Sequence, residues 1–236
     1  MVEPKKKKQD QVSKPQQKSF ITCFKLSDLT TPVKDNSSSI ISRLTIKTSP
    51  NCKQALLHSI SDDTSSTSYY GASSLYFFDL MTGAFSKFSL VEGPINDFEW
   101  ASNGAFFVVN AGHQPSKTYL YNYKCSIIKE ICLSKSNIAK ISPDCRLLCL
   151  AGFGSLHGEV DIFELSNFTQ IGKLKFFCGA SILWSADSYY ILIAVLSPKM
   201  KMDNEYKIFT YNGDEVVGEK FTGEVYDCNW VNSGGK

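Results

Sequence analysis

An all-β chain built as a β-propeller is what the residues predict, on three observations. A short pattern returns about every 43 residues, a second pattern keeps the same period, and no stretch sustains helical periodicity. The first pattern is Trp100-Ala101-Ser102-Asn103-Gly104, then Ile141-Ser142-Pro143-Asp144-Cys145, Trp184-Ser185-Ala186-Asp187-Ser188 and Trp230-Val231-Asn232-Ser233-Gly234. From 100 to 141, 184 and 230 the steps are 41, 43 and 46 residues. The second is the aromatic run Leu75–Leu80, echoed at Thr118–Tyr123, Val160–Leu165 and Tyr206–Tyr211. Its residues Phe78, Tyr121, Phe163 and Phe209 follow one another at 43, 42 and 46.

Each repeat reads in order as four strands. The first ends at the Trp or Ile, and a polar turn with Asn, Asp or Gly follows it. The second strand is largely apolar, as in Leu147–Leu150 or Tyr190–Val195. The aromatic run is the third, since aromatic and β-branched residues suit a half-buried pleated surface. Turn residues Met81-Thr82-Gly83, Lys124-Cys125-Ser126, Ser166-Asn167 or Asn212-Gly213-Asp214 then lead into a fourth strand. An earlier, degraded copy starts at Thr48-Ser49-Pro50-Asn51-Cys52 before Ala55-Leu56-Leu57, 52 residues ahead of Trp100. Its extra length falls in the polar segment Ser59–Ser68, read as a loop insertion.

This gives about four to five four-stranded blades over residues 19–236, a partial WD40-like propeller. Too few blades for a comfortable ring predict a larger propeller, with open edges that need further sequence or a partner. Residues 1–18 form a separate basic tail expected to be disordered: six lysines face Glu3 and Asp10, a balance of +4, which leaves −2 for the rest of a chain of net charge +2. The run Lys5–Lys8 suits phosphates or acidic lipids, and equally a solvated, solubilising arm.

Of the eight cysteines, Cys132, Cys149, Cys178 and Cys228 sit in strand-like apolar runs, where a thiol acts as a small hydrophobe. No Cys-x-x-Cys pair and no His at metal-ligand spacing accompany them. With charged first residues and no bilayer-length apolar run, a cytoplasmic, reducing location is expected, with no membrane partner. His58, His113 and His157 are isolated, His58 as a packed strand residue and the others in loops. No Gly-x-Ser-x-Gly elbow occurs, and Gly152-Phe153-Gly154 leads to a strand rather than the helix a dinucleotide site needs. The chain is therefore read as non-enzymatic, with no cofactor.

The loops between second and third strands carry the candidate residues, because propeller scaffolds place function there and these loops fall on one face. They are Tyr69 and Tyr70 in the degraded copy, Lys117 beside Gly112–Ser116, Phe153 and His157 in Gly152–Gly158, and Lys199, Lys201 and Asn204 in Pro198–Asn204. Turn chemistry and solvation account for each residue singly; the face as a whole is the binding candidate.

Four of these features, in order, give the chain a family likeness: Ser68-Tyr69-Tyr70-Gly71, Gly93-Pro94-Ile95 before Trp100, Leu150-Ala151-Gly152-Phe153-Gly154, and Tyr206-Lys207-Ile208-Phe209. With Lys18-Ser19-Phe20 ahead of them, they resemble the propeller of the eukaryotic translation initiation factor 2A family over about residues 18–231. The related b subunit of initiation factor 3 shares the Ala-Gly-Phe-Gly type of loop and is the nearest confusion; Tyr69-Tyr70-Gly71 favours factor 2A. The resemblance implies a nine-bladed propeller and a non-enzymatic factor that binds the small ribosomal subunit. It also implies delivery of initiator methionyl-tRNA on selected mRNAs, without GTP and alongside other initiation factors. His157 stands where the family usually has Arg, Ser155 where it has Asn, and Glu205 where it has Gly. A second reading keeps a general protein–protein scaffold with no RNA role, including one like that subunit of factor 3.

Overall fold

The computed structural model describes residues 19–25, 28–38, 42–61, 72–88, 93–179 and 181–231, with 19–38 described as backbone apart from Thr30. The expected basic tail lies outside the described residues, as do Tyr69 and Tyr70. A hairpin of β1 (Ser19–Lys25) and β2 (Asp28–Ser38) forms its own two-stranded sheet. Four antiparallel four-stranded sheets follow, each a meander in chain order. The first blade is β3 (Arg43–Thr48), β4 (Gln54–Ser61), β5 (Ala72–Asp79) and β6 (Phe85–Lys87). The second is β7 (Ile95–Trp100), β8 (Phe106–Ala111), β9 (Ser116–Asn122) and β10 (Ile127–Ser134). The third is β11 (Ile138–Ile141), β12 (Leu147–Ala151), β13 (Glu159–Glu164) and β14 (Thr169–Lys175). The fourth is β15 (Ser181–Trp184), β16 (Tyr190–Val195), β17 (Glu205–Thr210) and β18 (Glu215–Lys220). These are the blades that the two repeats predict.

Strand period explains where the cores sit. Second strands are buried on both faces, so successive residues serve opposite neighbours. On β12, Leu148 and Leu150 pack toward the second blade with Val108, Leu120 and Phe163, while Cys149 and Ala151 pack toward the fourth with Ile191 and Ile193. On β8, Phe107, Val109 and Ala111 face Leu56, Leu75 and Phe77 of the first blade, and Val108 faces the third. The cores thus lie between blades, and each blade needs a neighbour. Fourth strands are outermost, and β18 is exposed at every residue.

The polar turns of the first repeat share one construction. The serines Ser49, Ser142 and Ser185 accept the backbone N–H of Gln54, Leu147 and Tyr190 at 2.8–3.0 Å and bond the Asn or Asp two residues on. That carboxylate or amide accepts the next free N–H in turn, and the fourth residue is left-handed: Cys52, Gly104, Cys145 and Ser188 have φ of 54°, 67°, 62° and 61°. The Trp has a separate task. Trp100 and Trp184 donate the indole N–H to the carbonyls of Lys47 and Lys140, at 3.1 Å in both cases. These carbonyls stand at the same register position of the preceding blade's first strand. Trp230 repeats the bond to Leu183 at 3.4 Å, so residues 224–230 lie where a fifth first strand belongs.

A candidate interface on the loop face

Loops joining second to third strands emerge on one face, together with the connections from each fourth strand to the next blade. On this face the second blade presents Gly112–Pro115, the third Gly152–Gly158 and the fourth Leu196–Asn204. Among the described residues they are held by backbone bonding rather than by side chains of opposite charge. Gly152 N–H donates to Glu159 O at 2.9 Å, Gly158 N–H to Gly152 O at 2.8 Å, and Phe176 N–H to Gly158 O at 2.8 Å. A Cβ on Gly158, whose φ is +72°, would stand 2.2 Å from the Phe176 carbonyl oxygen. One on Gly152 would stand 2.1 Å from the Lys135 oxygen. Of the glycines in the Ala-Gly-Phe-Gly motif, Gly152 is thus explained by close backbone approach, whereas Gly154 stands in open space with a left-handed φ of +73°.

Phe153 is corrected by the same geometry: its side chain is 3% exposed, and its ring seats on Gly179, where a Cβ would come within 2.7 Å of it. Asn137 clips its backbone through both amide atoms, at 2.9 Å each. It is a latch between the loop and the turn that follows β14, not a surface contact. Asn204 is likewise fully buried. Its amide donates to Met200 O at 2.8 Å and accepts Val225 N–H at 2.6 Å, which ties the fourth-blade loop to the segment beyond β18. Lys117 lies at the start of β9 and pairs with Glu130 at 3.3 Å, each half exposed, so its charge is partly offset. His157, Lys199 and Lys201 are exposed on the loops. Phe177, 63% exposed with the Lys175 ammonium 4.8 Å over its ring, was missed by sequence reasoning. So was Tyr226, 68% exposed and bonded to Glu224 at 2.6 Å. Both belong to connections rather than to the loops between second and third strands.

Toward the axis, the first strands of three blades carry a ladder of ions. Lys47 on β3 reaches Asp97 and Glu99 of β7, both at 3.1 Å, and Glu99 also holds Lys140 of β11 at 3.0 Å. Asp97 accepts the Ala139 N–H at 3.1 Å. Burial alone would lower the Lys47 pKa, but the two carboxylates outweigh it and hold the ammonium above its usual value. Among the described residues no cluster of His, Cys, Asp and Glu could hold a metal ion. The described thiols are free. Cys178, expected in a strand, instead occupies an exposed turn with φ 58°.

The family model for eukaryotic translation initiation factor eIF2A matches residues 41–228. The chain belongs to the eIF2A family. It is similar to eukaryotic translation initiation factor 2A of Dictyostelium discoideum, 37% identical over 74% of this chain and 28% of that protein. The Schizosaccharomyces pombe factor 2A is 34% identical over 71% of this chain and 29% of its own length. The chain therefore spans under a third of these curated relatives. A solved structure, described as that of a eukaryotic initiation factor, superposes with a TM-score of 0.74 at 26% identity, over 86% of this chain and 48% of that one. The b subunit of eukaryotic translation initiation factor 3 from Xenopus laevis is 26% identical over 49% of this chain and 18% of that protein, a lower and shorter match. The eIF2A match begins at residue 41, so Lys18-Ser19-Phe20 and the β1–β2 hairpin fall outside it. No helix among the described residues is long and apolar enough to cross a membrane.

Proposed function

We propose that this eIF2A-family chain serves translation initiation as part of a non-enzymatic cytoplasmic propeller whose loop face contacts RNA of the small ribosomal subunit. The observation that carries the reading is the placement of exposed His157, Lys199 and Lys201 on that one face, on loops anchored by the buried Phe153 and Asn204. Exposed side chains on loops so anchored can contact a phosphate backbone. We extend the proposal, for the whole protein, to support of initiator methionyl-tRNA delivery on selected mRNAs alongside other initiation factors, as the resemblance implies. No cofactor enters this reading.

The test is binding to purified small ribosomal subunits across a salt series. Phosphate contacts release counterions, at a slope of about 0.7 in log affinity against log salt per single-strand contact. Lys199→Ala with Lys201→Ala should weaken binding and reduce the slope by about 1.4. A folded chain that ignores small subunits at low salt would sink the proposal. Binding that survives nuclease and does not respond to salt would favour the protein scaffold instead.

A further inference from the structure

The loop face holds a cleft of about 680 Å³ where the first three blades meet. It is bounded by Ser73 and Lys87 of the first blade, by Gly93–Asn96 and Gly112–Gln114 of the second, and by Ser155 and Leu156 of the third. Its chemistry is one-sided. Of the described residues that line it, only Lys87 and His113 can carry charge, and none is acidic. Asp97, one residue beyond the lining Asn96, is already engaged by Lys47 and the Ala139 N–H. No ion pair joins Lys87 to a carboxylate among the described residues, and both Lys87 and His113 are exposed.

The polar groups are oriented in advance. The Asn96 amide gives its protons to Asn110 Oδ1 at 3.0 Å and Gly112 O at 3.1 Å. Gln114 gives one to Ser136 O at 2.8 Å. With the nitrogens so held, Asn96 Oδ1 and Gln114 Oε1 remain as acceptors without a partner among the described residues. Ile60, Ile95, Pro94 and Leu156 supply apolar walls, and no Phe, Tyr or Trp ring lines the space.

We propose that this cleft binds an extended peptide segment bearing carboxylates, contributed by a protein partner. Backbone N–H groups of an extended chain can donate to the two fixed amide oxygens, apolar side chains can rest on the aliphatic wall, and a carboxylate meets Lys87 and His113. Single-stranded RNA fits less well, since its bases find affinity chiefly by stacking on aromatic platforms, and the His113 imidazole is the one ring among the described lining residues. The site is separate from the RNA-facing residues His157, Lys199 and Lys201, and its failure leaves that reading standing.

The test uses the full chain and three fluorescein-labelled probes: a nonapeptide alternating Glu and Leu, the same peptide with Lys for Glu, and an oligouridylate of similar length. Fluorescence anisotropy should show saturable binding of the Glu peptide and none of the Lys peptide. Lys87→Glu should weaken the Glu peptide at least about tenfold. Ser155→Trp, at an exposed rim position, should weaken it by blocking the space, while Lys199→Glu should leave it unchanged. The proposal is overturned if the Glu peptide fails to bind, if Lys87→Glu and Ser155→Trp leave its affinity intact, or if the oligouridylate displaces it.

Discussion

Tyr121 shows how the packing between blades overrides a single group's needs. It is 1% exposed, stacked on Phe107 with centroids 5.2 Å apart and met edge-on by Phe88 at the same distance. Its hydroxyl has no hydrogen-bond partner among the described residues. A buried polar atom left unpaired costs about 1–3 kcal/mol. Tyr121→Phe keeps the ring and removes the orphan, so it should raise the unfolding free energy by about 1 kcal/mol in urea titrations. His58 is the opposite case, a polar group with a partner. Its Nε2 lies 2.8 Å from Ser73 Oγ, and the ring meets Phe98 edge-on at 6.0 Å. Burial and then the Arg43 charge push its pKa below the ordinary value, against a smaller opposing pull from Asp97. The folded state therefore releases this proton more readily than the unfolded chain does. Stability held above about pH 6.5 should be lost as pH falls through the lower folded-state value. His58→Gln should flatten the stability difference between pH 7.5 and pH 5.5; an unchanged difference would show that the titration lies elsewhere.

At the scale of elements, the recurring Trp is a fastener between blades. Trp100, Trp184 and Trp230 each reach the carbonyl of the preceding first strand, so blade order is written into one side chain at one register position. Trp184→Phe removes the donor and part of the ring, and should cost about 1–3 kcal/mol in chemical denaturation. The third blade has Ile141 there and relies on apolar contact with Ala101 and Val108 instead. This part of the fold was legible in sequence because period, turn residues and Trp recur together, and each maps onto a strand or its cap. The candidate site was legible only as a face. Phe153 and Asn204 look like loop residues by position, yet a ring beside glycines and an amide beside free backbone groups were drawn inward to satisfy packing and hydrogen bonding. That choice depends on Gly179 and Val225, which lie over twenty residues away and carry no local signal. Exposed Phe177 escaped notice for the same reason, since an aromatic after a strand reads as core until its neighbours are known.

Across the whole molecule, the blades are joined by apolar layers between sheets and by one polar line near the axis. Lys47, Glu99 and Lys140 come from three successive blades, and their side chains are 31%, 26% and 29% exposed. Such sites are screened less than a surface pair, whose value is about 0–1 kcal/mol, and they are not so dry that desolvation cancels the attraction. Glu99 is the shared member. Glu99→Gln keeps the shape but leaves Lys140 without its carboxylate and Lys47 with Asp97 alone. The expected loss is about 1–2 kcal/mol, smaller in high salt because charge is what was removed. A second effect belongs to this scale only. If the ladder couples the second blade to both neighbours, its removal lets them unfold less in concert, and the urea m-value should fall along with the midpoint. A lowered midpoint at constant m would mean that the apolar layers alone carry cooperativity between blades. Lys47→Met together with Glu99→Leu would then be as cooperative as the parent, because these apolar replacements leave only Lys140 and Asp97 without a charged partner, and Asp97 keeps the Ala139 N–H.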